Sequence, residues 1–253
     1  MIFSSERLTD TRVWIALKTI TAELPADGKI AASACLKLAP KLIEQLQNVR
    51  VLSLLLFLSL SDSLLFQSKT PPEALVETLS ILSILIVRFP ANLTSLSFDA
   101  HPLTTLAPLL SHPRPIVRRR AITTISQYIP LSPPEIVSDL MSTDVLPNLQ
   151  PKAPLDKQRT TVQLTAALAR HSPGHITPVL DQIIPGILKA AQKEDEELRE
   201  NSLLALEALV LRCPAEVASS IPAIIQAGNQ LIKYDPVCYM FGGLALAGPD
   251  SET

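Results

Sequence analysis

Apolar residues recur at helical spacing in one stretch after another along this chain, and prolines close the stretches. The clearest is Glu194–Pro214, where Leu198, Ala205, Leu209 and Arg212 follow a helical spacing. Leu203, Leu204, Leu206 and Leu211 spread the apolar surface well round the same cylinder, so this helix needs neighbours on more than one side. Glu194, Asp195, Glu196 and Glu197 open it and Cys213-Pro214 ends it. Carboxylates at a helix N-terminus face the positive end of the macrodipole, and a proline beyond the last turn cannot continue the ladder.

The same helix returns at a fixed interval. Arg199 stands near its start, Arg159 stands 40 residues earlier and Arg118 a further 41 earlier, each at the same place in a helix of similar character. One more step back reaches Glu77, in a helix whose arginine position has changed. A period of about 40 residues built from paired helices marks a HEAT-type array, so the expected fold is an all-α HEAT-repeat α-solenoid, a superhelical stack of antiparallel helix pairs. The pattern predicts helices near 10–24, 26–47, 72–89, 101–111, 115–129, 133–148, 156–171, 174–192, 195–212 and 215–233. They divide into a partial repeat over 1–25 (second helix only), repeats over 26–90, 91–131, 132–172 and 173–213, and the first helix of a further repeat over 214–236. Residues 237–253 lose the helical period and read as an irregular tail.

The repeat 26–90 carries an irregular insertion over 49–69. Its apolar part, Val49–Gln67, has three readings. Arg50 and Asp62 leave only eleven uncharged positions between them, too few for a membrane span of about 20 apolar residues. A buried extra helix or long loop is the second. The favoured one is translated intron: Leu, Phe and Ser have pyrimidine-rich codons, Val49 allows GT at the start, and Phe66-Gln67 allow TTTCAG at the end.

Composition sharpens this picture. Across 253 residues, 47% are hydrophobic and 4% aromatic, as expected of Leu/Ile/Val/Ala helix packing. A net charge of −2 gives no general argument for nucleic acid or an anionic membrane surface as partner. Cys35, Cys213 and Cys238 are far apart and odd in number, which describes a reduced intracellular chain rather than a disulfide framework. Met1–Thr9 lacks the pattern of a secretory signal.

No catalytic, cofactor or metal site is expected. His171 and His175 are four apart, but Pro173-Gly174 between them breaks the helix that would pair them on zinc. His101 and His112 sit beside prolines at helix boundaries, where capping is the ordinary role. Cys213, at a helix C-terminus, lacks the dipole that would activate it and reads as core. G-x-S-x-G, P-loop and C-x-x-C motifs do not occur.

The dense basic cluster is Arg118-Arg119-Arg120. Repeat stacking places Arg118, Arg159 and Arg199 on adjacent helices, as a structural ladder of inter-repeat hydrogen bonds or ion pairs. Arg119 and Arg120 point elsewhere and are candidates for an acidic partner, because guanidinium pairs bidentately with carboxylate. Gln127, Arg170, Glu200 and Glu207 are the polar positions expected to face outwards on the second helices, which line the concave face of such arrays.

Several blocks, in order, resemble one family. Asp195–Val217 (DEELRENSLLALEALVLRCPAEV), followed by a helix and KYDP at 233–236, resembles the amino-terminal HEAT region of the cullin-associated, neddylation-dissociated (CAND) proteins, as do LKTITAELP (17–25), HPRPIVRRRAI (112–122) and IIPGILK (183–189). The resemblance covers about residues 14–236, interrupted by 49–69. It implies a non-catalytic scaffold that binds an unneddylated cullin–RING complex and takes part in substrate-receptor exchange in SCF-type ubiquitin ligases, in cytoplasm and nucleus. The chain departs from the family pattern in starting mid-repeat, in the 49–67 insertion and in losing the acidic stretch after YDP. It therefore reads as an amino-terminal portion, either a truncated gene model or a natural half that works with a carboxyl-terminal CAND chain or segment. The alternative is a generic HEAT adaptor, a nuclear-transport or phosphatase scaffold fragment.

Overall fold

The computed structural model describes residues 11–24, 29–58, 72–96, 98 and 101–234, and among them every regular element is helical. In chain order these are α1 (Thr11–Glu23), α2 (Lys29–Leu58), α3 (Pro72–Arg88), α4 (Pro90–Thr94), α5 (Pro102–Leu106), α6 (Pro115–Tyr128) and α7 (Pro134–Leu140). There follow α8 (Leu155–His171), α9 (Pro173–Ile176), α10 (Leu180–Ala191), α11 (Glu196–Arg212), α12 (Pro214–Val217) and α13 (Ile221–Tyr234). A 3₁₀ turn, Ala107–Ser111, continues α5, while a π turn, Met141–Val145, continues α7.

Two layers emerge from the packing. In one, α1 lies on α3, α3 on α6, α6 on α8 and α8 on α11, the last pair making the most extensive contact. In the other lie α2, α5, α7, α10 and α13, the first helices of the pairs, with α2 against α3 and α10 against α11. The protein is thus an all-α solenoid of stacked helix pairs, with one apolar core running between the layers from Trp14 to Val217. Gly186 lets α10 pass close to the preceding repeat, since a Cβ there would meet Leu149 Cβ at 3.0 Å.

The joint after a second helix has a repeated chemistry. Phe89, Ser172 and Cys213 follow α3, α8 and α11 with nearly the same backbone angles, φ/ψ of −132/48, −146/51 and −130/50. Each still donates its N–H to the carbonyl four residues back, at 2.8, 2.7 and 2.8 Å. Each is followed by a proline that opens a short helix: α4, α9 or α12. Pro disfavours αR in the residue before it, and at N1 its missing N–H costs nothing. The proline therefore ends one helix and begins the next. α6 differs, running into a 3₁₀ turn at Ile129–Leu131 with Pro130 inside it.

One boundary departs from expectation. The helix expected over 26–47 continues to Leu58, so the first ten residues of the stretch 49–67 are helical. No Pro or Gly stands between Lys41 and Thr70 to interrupt it. The rest of that stretch and the tail 237–253 lie outside the described residues. Among the described residues no single helix is long and apolar enough to cross a membrane.

Candidate interaction surface

The charged residues of the second helices meet around the start of α8. Arg159, in its first turn, donates through Nε to Asp195 Oδ1 at 2.9 Å and through Nη2 to Asp195 Oδ2. Asp156 Oδ1 lies 3.3 Å from Nη1 and Glu197 Oε2 lies 3.4 Å from Nε. Asp195 is also the N-cap of α11, accepting from the Leu198 N–H at 2.8 Å. The Arg159 hydrogen bond holds the Asp195 carboxyl below its usual range, helped by the capped N–H and by the charge of nearby Arg199. The same bond raises the Arg159 guanidinium. Arg119, with 68% of its side chain exposed, approaches Glu197 Oε1 at 4.0 Å. Charges from α6, α8 and α11 thereby form one seam.

Of the expected arginine ladder, only Arg159 makes an inter-repeat rung among the described residues. Arg118 turns back to its own connection, donating to the carbonyls of His112 at 2.8 Å and Pro113 at 3.1 Å. The reason is in the next repeat: the N-cap that faces Arg159 is Asp195, whereas the N-cap of α8 is Pro154 and offers Arg118 no carboxylate. Arg199 is half-buried and has no side-chain hydrogen bond or ion pair among the described residues.

The six partner-facing candidates divide. Arg119 and Arg170 are exposed and Arg120 is half-buried. Gln127 is a stitch between repeats, accepting from the Ser83 hydroxyl of α3. Glu200 and Glu207 are exposed, but their equivalents in α8, Thr160 and Ala167, are buried and half-buried. The exposure of the two glutamates is therefore not a feature repeated from helix to helix.

Spacing alone did not reveal the remaining inter-repeat links. Thr124 Oγ1 lies 3.3 Å from the Leu79 carbonyl, sharing a hydroxyl whose nearer acceptor is the Arg120 carbonyl at 2.9 Å, and Ser172 Oγ donates to the Ser126 carbonyl at 2.9 Å. Lys193 Nζ reaches the Pro151 carbonyl at 2.9 Å and Gln158 Oε1 at 2.8 Å. The available signal was a hydroxyl at a core position of a second helix.

The histidines at the proline boundaries are caps. His101 Nδ1 accepts from the Leu103 N–H at 3.3 Å and His112 Nδ1 from the Arg114 N–H at 3.1 Å. Cys35 and Cys213 are buried thiols; burial pushes Cys35 up to about 11 and raises Cys213. Among the described residues no group of three His, Cys, Asp or Glu side chains is placed to hold a metal ion.

No family model matches the chain. Among curated proteins, it is 29% identical over 232 residues to cullin-associated NEDD8-dissociated protein 2 of Mus musculus, and 30% identical over 232 residues to that of Rattus norvegicus, in each case across 88% of the chain. The chain is related to the CAND proteins. A third relative, cullin-associated NEDD8-dissociated protein 1 of Drosophila melanogaster, is 28% identical over 239 residues, or 93% of the chain. The likeness to CAND therefore takes in both layers of the solenoid and is not confined to the α11 segment. The chain spans 16% to 17% of the length of these CAND relatives.

Proposed function

We propose that this protein is a non-catalytic scaffold that binds a cullin–RING complex in its unneddylated form and takes part in assembly and substrate-receptor exchange of SCF-type ubiquitin ligases. The observation that carries the proposal is the relationship across 88% of the chain to proteins named for cullin association. The solenoid supplies the means, because stacked second helices present a long row of side chains to one partner. Arg119 and Arg170 are among the exposed guanidinium groups of the second helices, and both suit an acidic surface. Because the chain spans about one-sixth of its relatives, exchange activity is assigned to the chain together with a carboxyl-terminal CAND chain or segment. Its place of work is cytoplasm and nucleus, and neither nucleic acid nor membrane is a partner.

The test is a pull-down of the purified chain against neddylated and unneddylated cullin–RING complexes, with and without a carboxyl-terminal CAND fragment. Binding to the unneddylated complex alone supports the proposal, as does loss of that binding in an Arg119→Glu, Arg170→Glu variant. A helical, cooperatively folded chain that binds neither complex under any condition would point instead to a generic HEAT adaptor.

A further inference from the structure

The connections into two successive second helices repeat one order of residues: proline, cation, proline, aliphatic. It reads Pro113-Arg114-Pro115-Ile116 at the start of α6 and, with Ala153 interposed, Pro151-Lys152-Ala153-Pro154-Leu155 at the start of α8. All four prolines and both cations are exposed. Ile116 and Leu155 are 60% and 45% exposed, although the other Val, Leu and Ile residues of α6 and α8 are buried.

The two aliphatic side chains belong to one surface. Ile116 precedes Arg119 by three residues and Leu155 precedes Arg159 by four, the spacings that make side chains neighbours on a helix. Arg119 and Arg159 in turn approach the same Glu197 carboxylate, at 4.0 and 3.4 Å. The first turns of α6 and α8 therefore lie side by side.

This surface carries unmatched positive charge. Arg159 is met by Asp156 and Asp195, but Arg114, Arg120, Lys152 and Lys157 have no ion pair among the described residues. The sequence explains the surplus on α6, since no Asp or Glu occurs between residues 100 and 134. On the α11 side the surface ends at exposed Glu194 and Glu196. A partner that covers Ile116 and Leu155 also takes water from the cations beside them, which is costly unless it brings carboxylates of its own. The prolines fix the backbone of the rim, so little conformational freedom is lost when it is occupied.

We propose that this rim is a docking site for an extended acidic peptide. Two aliphatic residues of the peptide, three apart, cover Ile116 and Leu155, while flanking carboxylates pair with Arg114, Arg120, Lys152 and Lys157. The spacing follows from packed helices about 8–10 Å apart and an extended chain that rises about 3.3 Å per residue. The inference does not rest on the cullin-binding proposal, which draws on Arg119 and Arg170.

The test is fluorescence anisotropy of the full chain with the labelled peptide Glu-Glu-Asp-Leu-Glu-Asp-Leu-Asp-Glu-Glu. One control peptide has serine for both leucines; the other has Gln and Asn for every Glu and Asp. The parent chain is expected to bind the acidic leucine peptide about tenfold more tightly than either control, a ratio within reach of burying two aliphatic side chains. The double variant Ile116→Ser, Leu155→Ser should lose that advantage over the serine peptide. The double variant Arg114→Glu, Lys157→Glu should weaken binding by about tenfold and flatten its salt dependence. All four positions are exposed, circular dichroism checks that each variant is folded, and the peptide controls need no variant. Equal binding of the serine peptide overturns the proposal, as does full binding by either double variant. Absence of peptide binding overturns it too, and sedimentation of the parent chain with phosphatidylserine vesicles would then assign the surface to lipid.

Discussion

Asp195 performs two tasks that substitution can separate. It caps α11 through the Leu198 N–H and holds Arg159 in a two-point ion pair. Asp195→Asn keeps a capping oxygen and removes the charge. With side chains 28% and 18% exposed, the pair is partly screened, and the expected loss is about 1 kcal/mol. Asp195→Ala also removes the cap, worth about another 1 kcal/mol, so urea denaturation should rank Ala below Asn below the parent. The two capping imidazoles carry a pH dependence of the other kind. Burial lowers His101, and burial together with the charges of Arg118 and Arg114 lowers His112 despite the bond from the Arg114 N–H. As pH falls through about 6.5, the unfolded chain takes up these protons before the folded one does. Stability is therefore complete above that pH and declines below it. Thermal melts from pH 8 to pH 5.5 should show the decline, and His112→Asn, which offers an acceptor but does not titrate, should make it shallower.

At the scale of elements, the ends of the second helices were legible because chemistry local to the sequence sets them. Phe89-Pro90, Ser172-Pro173 and Cys213-Pro214 end helices wherever they occur, and the repeat of about 40 residues followed from the second helices alone. The first helices were less legible, since α7 passes into a π turn at Met141–Val145 and α10 is preceded by two short turns. The π turn has no Pro or Gly within it to announce it, while Pro173, Gly174 and Pro178 ahead of α10 announce a break without giving its form. The candidate surface was legible only in part. Helical periodicity shows which side chains leave their own core, as Glu200 and Glu207 do, but not that the same positions in α8, Thr160 and Ala167, are covered. Nor does it show that Arg118 lacks a carboxylate ahead of it, because that depends on Pro154 occupying the place of Asp195. Packing between elements gives the next prediction. Gly186→Ala adds helix propensity worth about 1 kcal/mol, but its Cβ would stand 3.0 Å from Leu149 Cβ. Leu149 cannot retreat by rotating its side chain, since Cβ is fixed to the backbone. Crowding of a packed interface costs roughly 1–3 kcal/mol, so the substitution should lower the urea midpoint, whereas the same change at Gly174, which has nothing within 4 Å, should not.

Over the whole molecule, each junction in the row of second helices carries its own polar link. Lys18 pairs with Glu77 at 2.9 Å between α1 and α3. Ser83 binds Gln127 between α3 and α6. Ser172 binds the Ser126 carbonyl between the end of α8 and α6, and Arg159 meets Asp195 at the start of α11. Leu- and Ala-rich surfaces tolerate sliding; a hydrogen bond to a fixed carbonyl or carboxylate does not, because a displaced partner leaves a polar group unpaired at about 1–3 kcal/mol. These links therefore set the register of one repeat on the next. Since a solenoid's stability is approximately a sum of repeat and nearest-neighbour terms, breaking one link should be felt at one junction. Arg159→Ala should raise amide hydrogen exchange in the first turns of α8 and α11, where Asp156, Asp195 and Glu197 lose their shared cation, while exchange in α1 and α3 stays at the parent rate. Uniformly faster exchange along the chain would show instead that the stack unfolds as one cooperative unit, with the Arg159 junction contributing to all of it.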